Sequence, residues 1–257
     1  LSAGRIVGLT ACISASLLQS AANLANKMWP EIGTLPIWVV IPVAMLIGAA
    51  FGAFNGFFVA KFKLHPFIVT LGTQLIVYTL LLLYVQMGNN KGMAISNLDA
   101  SYTDFVKGEL FRVGDTPVPR YVLFAVILTL IMWFIWNKTT FGKNMFAVGS
   151  NADAAKVSGV NVFWTTVMVH TLAGAMYGVT GFIEGARISS ITQSAGLNYE
   201  CDAIAACVIG GVSFVGGTGK ISGIVLGVFV LRIIFVALSM LGIDPSMQYI
   251  LSLIHIS

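Results

Sequence analysis

Charged residues are scarce in this sequence of 257 residues. They make up 9% of the chain, against about a quarter in an ordinary soluble domain, while hydrophobic residues make up 57%. So few charges cannot cover the surface of a soluble fold of this length, so lipid must solvate much of the chain. Because lipid satisfies no backbone polar group, the long apolar runs predict an all-α, polytopic membrane helix bundle.

Signatures of catalysis, metal binding and nucleotide binding are also missing. The segment 217–220 (GTGK) lacks the features of a phosphate-binding loop, since Phe214 stands where that loop needs glycine and Ile221 where it needs Ser or Thr. The three cysteines have no disulfide or metal-ligand spacing and lie in or beside apolar stretches, which favours buried small hydrophobes. They are Cys12, Cys201 and Cys207. The sequence therefore predicts no enzyme activity, no cofactor and no metal site of its own.

What the sequence has instead is a series of apolar runs near the length of about 20 residues that a membrane helix needs. Five candidate spans cover residues 6–22, 35–60, 67–87, 121–137 and 162–183. The first is rather polar, which suits a helix buried among other helices. A sixth region, 202–241, is too long for one span and predicts a short helix, a glycine-rich break and a full span.

We therefore expect one transmembrane domain over residues 1–250, with about six spans and a short broken helix. The loop 88–120 is long enough for a short surface helix. Residues 251–257 match one reading-frame translation of a common sequencing-library transposon end, so we expect a non-native tail there.

Lysines in short loops predict the orientation of the domain. Lys61 and Lys63 lie in the turn after the second candidate span, and the loop 138–160 is also basic. Alternating spans put both on one side, which is therefore the cytoplasm. The loops 23–34 and 88–120 then face outward.

Glycines four residues apart are frequent in the candidate spans. Such spacing lets another helix backbone approach closely, which predicts tight helix packing and is also compatible with rocking motions. The two clearest sets are Gly48, Gly52 and Gly56, then Gly219, Gly223 and Gly227.

A second glycine cluster forms the predicted helix break. Asp202 comes before the short helix that leads into this break, and it has the chemistry to N-cap that helix. Broken helices at membrane depth often line a translocation pathway, whereas a surface break is a plain turn between helices. Both interpretations remain open for Asp202 and the four glycines that follow it, Gly210, Gly211, Gly216 and Gly217.

Ionisable residues inside or near spans need a partner, a cavity or access to the interface. Glu184 and Arg187 are one helical turn apart and can pair. His170 favours hydrogen-bonded packing over proton relay, because no intramembrane acid lies near it in sequence. Arg232 lies well inside the last span and must face a cavity, find a partner or reach the interface.

The cytoplasmic loop contains the most specific local pattern. Residues 151–155 (NADAA) offer a capping side chain and an acid in the first turn, and Ser158-Gly159 ends the helix. The pattern predicts a helix of about two turns with small side chains on one face. From these residues alone, a surface that docks on a partner and a simple linker are both open.

The run FGKNMFAVGSNADAAKVSGVNV, residues 141–162, resembles the coupling loop of permease subunits in the ribose/galactose class of ABC sugar importers. Residues 199–214, 70–73 and 1–5 resemble further motifs of that class, in the same order. Within the class, the sequence looks most like the galactose/methyl galactoside permeases. Arg232 and the loop 88–120 depart from the family pattern.

The resemblance implies a type II importer permease, incomplete at both ends, in the bacterial inner membrane. Such a subunit moves a monosaccharide, such as galactose, methyl galactoside or ribose, by alternating access. The implied partners are a cytoplasmic ABC ATPase, a periplasmic sugar-binding protein, a second permease copy in a homodimer and the lipid bilayer, without nucleic acid. The loop residues implied to dock on the ATPase are Asn151, Ala154, Ala155, Ser158 and Gly159.

The alternative is an ion-coupled secondary transporter. That mechanism needs ionisable residues paired around a site near the middle of the membrane, often in repeated halves. The scarcity of buried acids and the lack of an evident repeat count against it.

Overall fold

The structure, a computed structural model, describes residues 1–20, 27–213 and 215–242. The expected tail, residues 251–257, lies outside the described residues, as does the end of the first candidate span. In chain order the described elements are α1 (Ala3–Leu17), α2 (Ile37–Phe62), α3 (Pro66–Gln86), α4 (Ala100–Lys107), β1 (Glu109–Val113), β2 (Thr116–Pro119), α5 (Arg120–Lys138), α6 (Thr140–Ser150), α7 (Ala152–Val157), α8 (Val162–Ile188), α9 (Tyr199–Ile209) and α10 (Ile221–Met240).

Five helices in the described ranges are long and apolar enough to cross a membrane. They are α2, α3, α5, α8 and α10, and each overlaps a predicted span. The prediction of a polytopic helical membrane protein is therefore confirmed. Helix α1 has only 15 residues and is mostly buried, as its polar sequence predicts.

Contacts divide the chain into two compact units. The first contains residues 1–128 and 166–197, and the second contains the described parts of 129–165 and 198–257. Helices α5 and α8 each contribute to both units.

Helix α1 lies at the centre of the first unit and packs against α2 and α3. Some of its polar side chains form hydrogen bonds within the protein: Thr10 Oγ1 donates to the Ile6 carbonyl oxygen at 2.8 Å. A buried polar group also joins the three helices, since Asn55 Nδ2 donates to Ser2 Oγ at 3.1 Å and Thr73 Oγ1 donates to Asn55 Oδ1. These bonds lower the cost of burying a polar helix, although Ser14 Oγ of α1 is buried without a hydrogen-bond partner among the described residues.

Helices α2 and α8 meet through glycines on both sides. A Cβ added to Gly48 or Gly52 would collide with the backbone of α8 at Gly174 or His170, and one on Gly174 would collide with α2. The two backbones therefore touch directly, in the manner of small-residue contacts between membrane helices.

The loop between α3 and α5 is more ordered than the sequence predicts. The short helix expected there is α4, and Asp99 caps its start, with Oδ1 accepting from the Ser101 backbone N–H at 2.8 Å. Tyr102 of α4 is fully buried, and its hydroxyl donates to the Phe182 carbonyl oxygen of α8. Strands β1 and β2, which were not predicted, form an antiparallel hairpin after α4.

Candidate coupling site

The predicted helix in the loop between α5 and α8 exists as α7. Asn151 caps it, with Oδ1 accepting from the Ala154 backbone N–H at 2.9 Å. At the other end, Ser158 Oγ donates to the Ala154 carbonyl oxygen at 2.9 Å, and Gly159 has φ +85°. A positive φ favours glycine, so Ser158-Gly159 ends the helix as the sequence predicts.

The exposed surface of α7 differs from the set of residues that the sequence indicated. Ala154, Ser158 and Gly159 are exposed, whereas Ala155 is only 3% exposed and is covered by its own chain. Ala155 therefore packs against its own chain, whereas the other residues of the predicted set are exposed. Val157, which the sequence analysis missed, is 90% exposed on this helix.

Helix α6 precedes α7 and was not predicted as a helix. Thr139 caps it by accepting from the Gly142 backbone N–H at 3.1 Å. Gly142 lies so close to the Trp136 carbonyl oxygen that no side chain fits there, so the chain folds back on α5. The chain then reaches α7 through Ser150, the last residue of α6.

The end of α6 contacts the turn between α9 and α10, which contains the glycine cluster that predicted a helix break. A Cβ on Gly149 would lie 3.0 Å from the Gly217 nitrogen, and a Cβ on Gly216 would lie 2.7 Å from the Gly149 carbonyl oxygen. Gly217 lies equally close to Ser150. The structure thus brings together the two most specific sequence features of this unit, the α7 loop and the glycine cluster.

That turn joins two antiparallel, packed helices. Gly223 of α10 faces Gly210 at the end of α9, and Gly227 faces the Ala206 carbonyl oxygen one turn further along. Gly219 lies before α10, where an added Cβ would meet only the Val212 methyl groups, at 3.3 and 3.4 Å. A role of the turn in a translocation pathway stays a prediction.

Gly210 faces Gly223 and Ala206 faces Gly227, so the next turn of the two antiparallel helices pairs the positions of Asp202 and Leu231. Arg232 follows Leu231 and interacts electrostatically with the Asp202 carboxylate. Arg232 is exposed, and Asp202 has one buried carboxylate oxygen, Oδ1, without a hydrogen-bond donor in the described part of the chain. Asp202 and Arg232 thus influence each other electrostatically, without a direct ion pair between them in the described part of the chain.

The remaining ionisable residues belong to the first unit and not to this site. Arg187 donates from Nε and Nη2 to the two carboxylate oxygens of Glu184, at 2.7 and 2.6 Å, so the predicted pair exists. His170 Nδ1 lies 2.9 Å from the Thr166 carbonyl oxygen and its backbone packs against Gly52, which confirms its interpretation as a packing residue. Among the described residues, no group of three His, Cys, Asp or Glu side chains could hold a metal ion.

Comparison with known proteins gives the class of the chain. Residues 1–256 match the family described as branched-chain amino acid transport system / permease component. The chain belongs to this permease family. Its helices therefore form a transport component, as the resemblance implied.

Named relatives lie within the same family. The galactose/methyl galactoside import permease protein MglC of Haemophilus influenzae is 45% identical over 98% of this chain and 74% of the relative, and the Escherichia coli K12 protein of that name shows the same values. The ribose import permease protein RbsC of Escherichia coli K12 is 33% identical over 100% of this chain and 74% of the relative. No solved structure gives a significant match.

Proposed function

We propose that this permease is the membrane-spanning subunit of an ATP-driven importer in the bacterial inner membrane, and that its cargo is galactose, methyl galactoside or a related monosaccharide. The observation that carries the proposal is the 45% identity to galactose/methyl galactoside permeases across 98% of the chain. The ribose and allose permeases that it resembles are 32–33% identical. Galactose or methyl galactoside is therefore the first cargo to test.

The α6–α7 loop is the proposed contact with a cytoplasmic ATPase subunit. Helix α7 presents Ala154, Val157 and Ser158 to solvent, a small surface with one apolar side chain at its centre. Short helices with such a face fit grooves on partner proteins. Because Gly149 and Ser150 at the end of α6 contact Gly217, a displacement of α7 would reach the α9–α10 turn through the end of α6.

A second permease copy and a periplasmic binding protein complete the proposed assembly. Many large apolar side chains on α3, α5 and α10 are exposed, including Leu226, Phe229 and Ile233. Lipid, further helices or a second copy must cover them in the membrane. The loop between α3 and α5, which contains the hairpin, is the proposed binding surface for the sugar-binding protein.

An ion-coupled transporter finds no support in the relatives, which are named import permeases. The acids also fit that mechanism poorly. Glu184 is already engaged in an ion pair with Arg187.

The test is reconstitution of the protein in vesicles with its ATPase and sugar-binding protein. Galactose uptake should require ATP hydrolysis, and Ala154→Arg should abolish both uptake and ATPase binding, because a bulky charge then stands on the docking face. The matched control is Asp115→Arg, which places the same group at the exposed tip of the hairpin and should leave ATPase binding unchanged. Uptake that continues without ATP, or full ATPase binding by Ala154→Arg, would overturn the proposal.

A further inference from the structure

The segment between α8 and α9, residues 189–198, is not helical. We call it the connector. Its backbone has positive φ at Ser189 (+63°), Gly196 (+74°) and Asn198 (+66°). Left-handed conformations at non-glycine residues are uncommon, and here they end α8 at Ser189 and start α9 after Asn198. Helix α8 therefore ends before the connector, and the next helix, α9, begins after it.

The start of the connector lies beside the loop that follows α3. Ile191 and Ile95 exchange two backbone hydrogen bonds, of 2.8 and 2.9 Å. Ile95 comes nine residues after Gln86, the last residue of α3. The connector thus begins near the end of a membrane-spanning helix.

The connector then runs inward along α1. Gly196 lies against the backbone of Gly4 in α1, and Ala195 lies against Gly8. A side chain at Gly196 or at Gly8 would collide with the opposite backbone. Such close contact needs glycine in both α1 and the connector, and it fixes the path of the connector.

Arg5 shows how deep this path goes. Its Nη1 donates to the Gln193 carbonyl oxygen at 3.4 Å, and its guanidinium lies 4.3 Å from the centre of the Tyr78 ring. Tyr78 lies near the middle of α3, a 21-residue candidate span. Gln193 is therefore at membrane depth and not in an outer loop.

The two edges of the connector differ in polarity. Ile191, Ala195 and Gly196 are buried against the protein, whereas Thr192, Gln193 and Ser194 are exposed. Non-helical backbone and exposed polar side chains do not face hydrocarbon, because each unsatisfied polar group there costs several kcal/mol. At this depth the exposed edge must face a water-filled cavity or a covering protein surface.

We propose that the exposed edge of the connector, Thr192, Gln193 and Ser194, forms part of the wall of the sugar pathway and offers hydrogen bonds to sugar hydroxyl groups. This inference rests on the proposed import function. Neutral hydroxyl and amide groups match a neutral monosaccharide. They also bind it weakly enough for the sugar to leave, which a transport path requires.

Cysteine accessibility in the assembled transporter tests the proposal. The three native cysteines, Cys12, Cys201 and Cys207, are first replaced by alanine. Single cysteines are then introduced by Thr192→Cys and Ser194→Cys. Ile191→Cys is the control for a buried position of the connector, and Leu75→Cys is the control for an exposed apolar position on α3.

The probe is a charged, water-soluble methanethiosulfonate reagent, applied to each side of the vesicles while galactose uptake runs. Thiols react as thiolates, which need water, so positions 192 and 194 should react ~10-fold faster than positions 191 and 75. Galactose should slow the reaction at 192 and 194, and modification there should reduce uptake.

Two results overturn the inference while leaving the import function intact. One is slow reaction at 192 and 194 in vesicles that transport galactose normally, which would show that protein covers the connector. The other is fast reaction that leaves uptake unchanged. Failure of the import function would instead appear as absence of ATP-dependent uptake by the cysteine-free protein, before any labelling.

Discussion

Two helix pairs, α2–α8 and α9–α10, are both packed through glycines, but the two contacts differ in what they join. In the first pair both helices contribute glycines, and both are long enough to cross a membrane. In the second pair the glycines of α10 face Ala206 and Gly210 of α9, a helix of only 11 residues. The first contact joins two complete spans, whereas the second ends at the turn that touches Gly149.

This difference separates a scaffold from a transmitting element. The α2–α8 contact has glycines on both helices and joins two long helices of the first unit, so we expect it to act mainly as a scaffold. The α9–α10 contact ends beside the proposed coupling site, so we expect a displacement of α7 to act on it through the end of α6. Substitutions in the first contact should therefore lower the stability of the protein. Substitutions in the second contact should mainly lower ATP-driven uptake by the folded protein.

Gly52→Leu should have the largest effect. The added side chain would start against the His170 carbonyl oxygen, which is fixed backbone, so α2 and α8 must separate. Overpacking of this kind costs about 3 kcal/mol or more. The measurement is the yield and melting temperature of the detergent-purified protein, and both should fall sharply.

The control for this substitution is Gly72→Leu on α3. Nothing lies within 4 Å of a Cβ at Gly72, so the same side chain should be tolerated there. If Gly52→Leu and Gly72→Leu gave equal yields and melting temperatures, the α2–α8 contact would not be the scaffold described here.

Gly223→Ala should have an intermediate effect with a different character. Its Cβ would press on the Gly210 carbonyl group, which ends α9, and the turn beyond would shift. We expect a stability cost of about 2 kcal/mol, together with a loss of ATP-driven uptake larger than the loss of folded protein. Uptake per folded transporter, measured in vesicles, checks this.

Gly219→Ala is the matched control, because its Cβ would meet only the Val212 methyl groups, which can move. It should transport normally. Equal uptake per folded transporter for Gly223→Ala and Gly219→Ala would remove the distinction between the two helix pairs.

The sequence predicted the elements whose physical cause is local. Span positions follow from the length and apolarity of the runs, and α7 follows from the Asn151 side chain and the glycine at 159. The burial of Ala155 was not predictable, since a short helix of small residues does not reveal which side meets its own chain. The hairpin was missed because β1 and β2 have only five and four residues.

The connector was missed for a related reason. Its polar run, Ser189–Ser194, looks like an ordinary loop between spans, and depth is a property of contacts rather than of composition. Only its packing on Gly8 and the reach of Arg5 to Gln193 bring it to the level of mid-α3. By contrast, the glycine cluster that sequence reasoning chose as the break forms the turn beside Gly149. The polar run at 189–194 between two apolar stretches was the available signal.

Asn151→Ala should have the smallest effect, and it should affect only the binding of the ATPase to α7. Loss of the cap on α7 costs about 1 kcal/mol of helix stability, which corresponds to a fall of ~5-fold in the affinity for the ATPase. The melting temperature should not change, because α7 has six residues and lies at the surface. Asn151→Ser keeps a capping oxygen and should bind the ATPase nearly as well as the unmodified chain. The measurement is a pull-down titration with the purified ATPase. If Asn151→Ala and Asn151→Ser weakened binding equally, the asparagine would act by touching the ATPase directly and not by capping α7.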